Sequence, residues 1–141
     1  MSIGSILTGK KPLISVATAT PIREIAALLY ENRIGAVLVI EDGAILGIVS
    51  ERDIVAGLHV HGPAILETSA GAVMTSPVVT ATPRTTVVAA MGVMTNRRIR
   101  HLPVVEDGEL LGLVSIGDLV KRRIDMAERE ASELKEYITT A

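Results

Sequence analysis

Apolar residues run along this chain in two alternating rhythms, and the whole alternation occurs twice. In IREIAALLYENRI, Ile22, Ile25, Leu28 and Leu29 recur at the three- and four-residue steps of one helical face, and TVVAAMGVMTNRRI, residues 86 to 99, repeats the pattern. Each helix is followed by a short apolar run of strand character, AVLVI at 36 to 40 and HLPVV at 101 to 105. Glu-Asp-Gly comes next in both places, and its Asp-Gly step predicts a tight hairpin turn. The partner strands ILGIVS and LLGLVS follow directly, and a second helix opens at Ser50 or Ser115. With a short strand ahead of each Thr-Pro turn, the unit reads strand, helix, strand, strand, helix.

Residues 33 to 55 overlie residues 98 to 120 at a step of 65, with 12 of the 23 positions identical. This is an internal duplication, and units this short complete a core by stacking on each other. Upstream, TATP at 18 to 21 resembles TATP at 80 to 83 at a step of 62, which predicts an entry loop three residues longer in the second copy. The organisation expected is a first repeat over 5–58, a structured linker over 59–77 with a helix or helical turn in AILETSAGAVM, a second repeat over 78–124 and a helical extension over 125–141. The extension is amphipathic: Val120, Ile124, Ala127, Ala131, Leu134 and Ile138 recur at steps of three and four, with charge on the other face. Such a helix folds back on its own module or on a dimer partner, or docks elsewhere. The fold class is α/β, in the mixed α+β sense, as one module.

Composition narrows the chemistry. The 141 residues are 48% hydrophobic but 1% aromatic, so the core must be built from aliphatic side chains and Met, as suits helices laid on a sheet. A net charge of −2 and the lack of a basic run argue against a nucleic-acid surface, and so few aromatics leave no platform for stacking bases. Zero cysteines exclude disulfides and thiolate chemistry and fit a reducing compartment. No stretch reaches the roughly 20 apolar residues of a membrane span, and MSIGSILTGKKP lacks the core of a secretion signal. A cytoplasmic protein without membrane or nucleic-acid partners is expected.

The candidate chemistry lies in GIVSERDIV and GLVSIGDLV, where Ser and Asp stand three residues apart at a helix start. Unpaired N–H groups and the helix dipole favour an anion there. Ser50 and Ser115 can add a hydroxyl, and the carboxylates of Asp53 and Asp118 can accept both hydroxyls of a ribose diol. Ser-x-x-Asp is equally a capping-box pattern that satisfies the helix's own first turn, and duplication of a fold would preserve two caps as readily as two sites.

In combination and order, VMT, RHLPVV, Asp-Gly, GLVS and SxxD resemble the CBS-domain family, over roughly residues 5 to 125. The resemblance implies a pseudo-symmetric pair of β-α-β-β-α repeats, clefts where their sheets meet, frequent dimerisation, and adenosyl ligands: AMP foremost, ADP, ATP, NAD(H) or S-adenosylmethionine, with no metal. It further implies that Asp53 and Asp118 hold ribose hydroxyls, that Ser50 and Ser115 lie near ribose or phosphate, that Arg100 and His101 reach phosphate with Leu102 and Pro103 beside them, and that the stretches with Thr80 and Thr82, and with Thr18 to Pro21, edge the adenine. The first copy departs from the pattern, with Gly35-Ala36 in place of Arg100-His101 and Leu38 in place of Pro103. The second has Gly117 where the first has Arg52, so Arg52 is the charge the first copy can offer. Unequal sites are expected.

His59 and His61 would share a side if LHVHGP were extended, but no third metal ligand is near in sequence. No nucleophile with a partner acid and base, phosphate loop or zinc-protease helix is present, so an enzyme is not expected. The leading reading is a sensor that binds an adenine nucleotide and is heard by an unidentified partner protein. The alternative is a homodimerisation module with no ligand.

Overall fold

The computed structural model describes residues 1–8, 10 and 12–140. It contains two compact units, one of Pro12–Val78 and one that joins Met1–Lys11 to Val79–Ala141. In the first, β1 (Ser15–Val16) lies parallel to β2 (Ala36–Glu41), which pairs antiparallel with β3 (Ala44–Ser50). Helix α1 (Ile22–Asn32) follows β1 and α2 (Glu51–His61) follows β3, before a 3-10 turn over Gly62–Glu67 and the short α3 (Ala70–Val73). The second unit has a 3-10 turn over Ile3–Ile6, α4 (Val87–Arg97), the antiparallel pair β4 (His101–Glu106) and β5 (Glu109–Ser115), and α5 (Ile116–Thr140). The mixed helix-and-sheet class read from the sequence is the one observed.

Local chemistry accounts for these elements. Both hairpins close on Asp-Gly with left-handed backbone at both turn residues, φ 51° and 78° at Asp42-Gly43 and 52° and 77° at Asp107-Gly108, the geometry that matches strand twist. Both ladders carry an irregularity at the same place, between Val39 and Ile40 and between Val104 and Val105. Helices α1 and α4 end alike. Arg33 and Arg98 adopt left-handed φ of 53° and 55°, and the next residue's N–H, of Ile34 or Ile99, reaches back to Leu29 or Met94, the closure usually given to glycine. Ala36–Val39 of β2 are buried throughout, as are Leu102–Val104 of β4, so both strands are covered on both faces. One core gathers Val16, Ile22, Ile25, Leu29, Val37, Val39 and Val49. The other gathers Ile3, Val87, Met94, Leu102, Val104, Val114 and Leu119.

Two sequence expectations need correction. The entry loops do not differ by three residues: α1 and α4 start at 22 and 87, and the step of 65 persists upstream. Ala17 donates its N–H to the Thr20 hydroxyl at 3.2 Å, and Thr82 donates to Thr85 at 3.2 Å, so the turn-forming threonines are Thr20 and Thr85. The two TATP strings therefore occupy different places, because the turn selects a hydroxyl two residues ahead of the helix and the repeated letters fall three residues early in the second copy. The second copy's opening strand is reduced to one parallel bridge, Ala81 with Val104.

The N-terminal segment belongs to the second unit in the way the segment after α2 belongs to the first. Ile3 donates to Thr85 at 2.8 Å and Gly4 to Pro83 at 3.0 Å, just as Ala70 donates to Thr20 at 2.8 Å and Gly71 to Thr18 at 2.9 Å. Each segment then sends an apolar side chain over a strand glycine, Met74 over Gly47 and Leu7 over Gly112. A Cβ at Gly47 would lie within 2.9 Å of the Met74 Cβ as well as against its thioether, whereas at Gly112 it would press 2.7 Å from a terminal methyl of Leu7 that can rotate away. Gly47→Ala is therefore expected to lower stability by about 1–3 kcal/mol and Gly112→Ala by clearly less, as chemical denaturation would measure.

Candidate functional site

Strand β3 runs into α2 and β5 into α5 with no intervening loop, so one serine ends a strand and begins a helix in each unit. Ladder register places Ser50 opposite Ala36 and Ser115 opposite His101. The first helical N–H groups fold back onto the neighbouring strand: Glu51 donates to the Gly35 carbonyl at 3.0 Å and Ile116 to the Arg100 carbonyl at 2.8 Å. Arg100, His101, Ser115 and Asp118 are thereby gathered at one end of the β4–β5 hairpin.

At both helix starts the capping box is formed. Asp53 donates its N–H to Ser50 Oγ at 3.2 Å and its Oδ2 accepts from the Ser50 N–H at 2.9 Å. Asp118 donates its N–H to Ser115 Oγ at 3.1 Å and its Oδ2 accepts from the Ser115 N–H at 2.8 Å. Each aspartate thus satisfies donors that the helix leaves unpaired.

A third group distinguishes the two carboxylates, and sequence reading missed both. Asp53 Oδ1 accepts a hydrogen bond from the Thr75 hydroxyl at 3.0 Å, so both of its oxygens are engaged by neutral donors. Asp118 Oδ2 accepts from the ammonium of Lys10, which also donates to the Leu113 carbonyl at 2.8 Å. Burial pushes the Asp118 carboxyl up, but the Lys10 ammonium and the Ser115 N–H outweigh it and hold the group below the usual 3.8. The available signal was the pair Leu7-Thr8 echoing Met74-Thr75, which marks the two lead-in segments that deliver Lys10 and Thr75.

The other expected residues lie as follows. Arg52 is exposed on the first turn of α2, and Arg100 is exposed just before β4. His101 is half-buried at the start of β4. Leu102 is fully buried in the hydrophobic core, and its side chain packs with Val104 and Val114. Pro103 is buried and its carbonyl accepts the Ala81 N–H at 2.9 Å. Thr80 and Thr82 are exposed beside that bridge, near the middle of β4, about three residues or ~10 Å along the strand from His101. Hairpin glutamates pin the entry loops: Glu41 accepts from the Thr18 hydroxyl and N–H, which lower its pKa, and Glu106 pairs with Arg84, which raises that of the arginine. An open depression lined by Leu29, Tyr30, Glu31, Arg33, Ile34 and Glu51 includes none of the expected ligand residues. Helix α2 continues through His61, which sets His59 and His61 about 200° apart around it, so the extended geometry for a shared metal does not arise. Among the described residues there is no cluster of three potential metal ligands, and no helix is long and apolar enough to cross a membrane.

The family profile described as CBS domain matches residues 3–60 and 70–125. The CBS domain-containing protein CBSX3, mitochondrial, of Arabidopsis thaliana is 38% identical over 115 residues, which are 78% of this chain and 56% of that protein, so the chain spans little more than half of the relative's length. Among solved structures, the CBS-domain containing protein ATU1752 from Agrobacterium tumefaciens superimposes with a TM-score of 0.84 at 38% identity, covering 87% of this chain and 99% of that one. The CBS domain protein PAE2072 from Pyrobaculum aerophilum, solved in complex with AMP, gives 0.74 at 31% identity, covering 84% and 89%.

The Lys10–Asp118 pair has a pH signature. A carboxyl whose folded-state pKa is depressed contributes stability above its unfolded value of 3.8, and that contribution disappears as pH falls through the folded value. Lys10→Met is expected to flatten the fall in melting temperature below about pH 4, in a buffer series at constant ionic strength, while leaving the neutral-pH value within a few degrees of the parent.

Proposed function

The chain belongs to the CBS-domain family, and from that premise we propose that it is a regulatory module, working in the cytoplasm, that binds an adenosyl ligand, AMP foremost, and presents its bound state to a partner protein. The observation that carries the proposal is the carboxylate of Asp118, fixed by its cap at a helix N-terminus with a lysine ammonium, Arg100 and His101 at the same end of the hairpin. A ribose diol donates both hydroxyls to that carboxylate. Lys10, released from it, turns to the phosphate, and Ser115 and Arg100 complete the polar surround. Thr80 and Thr82 line the approach from the middle of β4. The AMP complex of the Pyrobaculum relative, at 31% identity, supports this ligand class. ATP, ADP, NAD(H) and S-adenosylmethionine share the adenosyl group, so the phosphate contacts decide among them. The proposed chemistry is binding alone, with neither metal nor catalysis, and the module works as a homodimer.

The two carboxylates are unequal in this proposal. Asp53 has both oxygens committed, to Ser50 and Thr75, and has Gly35-Ala36 beside it where the second unit offers Arg100-His101. Ser50, Arg52 and Asp53 therefore form the weaker site. The same commitment favours a second reading, in which both aspartates serve only as caps in a homodimerisation module without a ligand.

Calorimetric titration and thermal shift with AMP, ATP, NADH and S-adenosylmethionine separate the readings. A ligand at a hundredfold excess over its Kd should add about 2.7 kcal/mol to stability, a shift of several degrees. Asp118→Asn, which keeps a capping side chain, is expected to weaken AMP binding at least tenfold, and Asp53→Asn less than threefold. Silence across all four compounds, or equal losses from the two substitutions, would overturn the assignment in favour of the cap-only module.

A further inference from the structure

Helix α5 outruns its unit. Its first turns are held by Leu119, which is fully buried, and by Arg122, which reaches Ser5 at 3.1 Å, but every residue from Arg123 to Thr140 except Met126 is exposed. A solitary projecting helix of this length is marginal in water. This one also leaves Val120, Ile124, Leu134 and Ile138 exposed by 40%, 52%, 60% and 65%.

Those residues form a seam. Val120, Ile124, Ala127, Ala131, Leu134 and Ile138 follow one another by 4, 3, 4, 3 and 4 residues, an unbroken seven-residue repeat with Ile124, Ala131 and Ile138 at one core position (a) and Val120, Ala127 and Leu134 at the other (d). A period of 3.5, rather than the 3.6 of a helix lying on a globular surface, is the pattern of two helices wound about each other. Isoleucine at a with leucine at d favours two strands, and the alanines in the middle let the axes approach closely.

Charge decides the occupant and its direction. The positions flanking the seam are Lys121, Glu128 and Lys135 on one side (e) and Arg123, Glu130 and Tyr137 on the other (g). In a parallel, in-register pair each g residue faces the e residue five positions on in the other helix. Arg123 then meets Glu128 of the partner subunit and Glu130 meets the partner's Lys135, so all four flanking ion pairs are attractive. In an antiparallel pair with full overlap, Val120 lies opposite Ile138, which sets Glu128 against Glu128, Glu130 against Glu130 and Lys121 against Lys135. We propose that residues 120–138 of α5 join two copies of this chain through a parallel, in-register, two-stranded coiled coil. The proposal rests on the homodimer part of the reading above and is independent of the ligand.

The absence of cysteine from the sequence makes the register testable in the full chain. Ala131→Cys places a thiol opposite its own copy only if the helices are parallel and in register, and it should form a disulfide-linked dimer in high yield under mild oxidation. Arg129→Cys, on the outer face, should not. Glu128→Arg is expected to weaken dimerisation roughly tenfold by sedimentation, and adding Arg123→Glu should restore it, because the swap rebuilds both pairs. Cross-linking of Ala131→Cys only when mixed with Ala127→Cys would show an antiparallel pair and overturn the proposal. So would a stable dimer in which neither cysteine cross-links, which would leave the homodimer standing, whereas a monomer at all concentrations would remove both.

Discussion

Four hydrogen bonds from backbone N–H groups, exchanged between two serines and two aspartates, organise this molecule. Each serine is the last residue of a strand and the cap of the next helix, and each aspartate returns the favour by accepting the serine's own N–H. Because strand and helix meet without a loop, this cap fixes the angle at which the helix leaves the sheet. It also holds a carboxylate at a position the lead-in segments can reach. Thr75 and Lys10 arrive there from segments that cover the strand glycines, Met74 over Gly47 and Leu7 over Gly112. Packing and polar chemistry are thus one arrangement: the apolar side chain that seals the strand positions the polar one beside the carboxylate.

How much of this could be read from the chain depended on how local the governing interaction was. Hairpin, helix faces and caps are set by neighbours within four residues, and Asp42-Gly43, the Ile22 to Leu29 stripe and Ser50 to Asp53 announced them. The contacts that tell the two carboxylates apart are not local, since Lys10 lies 108 residues from Asp118 and Thr75 lies 22 from Asp53. No periodicity marks such a meeting. The repeated TATP string misled for a related reason. Identity of letters rewards residue type, whereas the equivalence that the fold respects is the hydrogen bond from Ala17 to Thr20 and from Thr82 to Thr85. Leu102 shows the same limit, because its place beside His101 in the sequence says nothing of the pleat that turns its side chain into the core.

A duplicated cap alone cannot distinguish a site from a structural habit, and here the differences between copies are more informative than the likeness. A hydroxyl on Asp53 completes a neutral set of donors and leaves the carboxylate satisfied. An ammonium on Asp118 instead forms an ion pair in which both groups remain more than a quarter exposed, at 34% and 28%. Such a pair contributes little net stability and exchanges readily for better partners. In the proposed binding mode a ribose diol and a phosphate take those places, one for each half of the pair. The asymmetry originates in the lead-in segments: both carry a threonine after the residue that covers the strand glycine, Thr8 and Thr75, but in the second unit it is Lys10, two residues further on, that reaches the carboxylate.

Helix α5 carries both ends of the reasoning. Asp118 sits in its first turn and the heptad seam begins at Val120, two residues later, within one uninterrupted helix of 25 residues. A ligand can bias a dimer only through interactions that differ between its states. The contacts of Lys10 offer a place for that difference to arise. If Lys10 leaves Asp118 for a phosphate, the lead-in segment that also packs Leu7 on Gly112 and Ser5 on Arg122 must adjust, and Arg122 lies beside the first seam residues, Val120 and Ile124. Strand β4 is buried on both faces over Leu102–Val104, which leaves it little room to move. The helix and the N-terminal segment can absorb the change, since both combine exposed surface with contacts to the carboxylate.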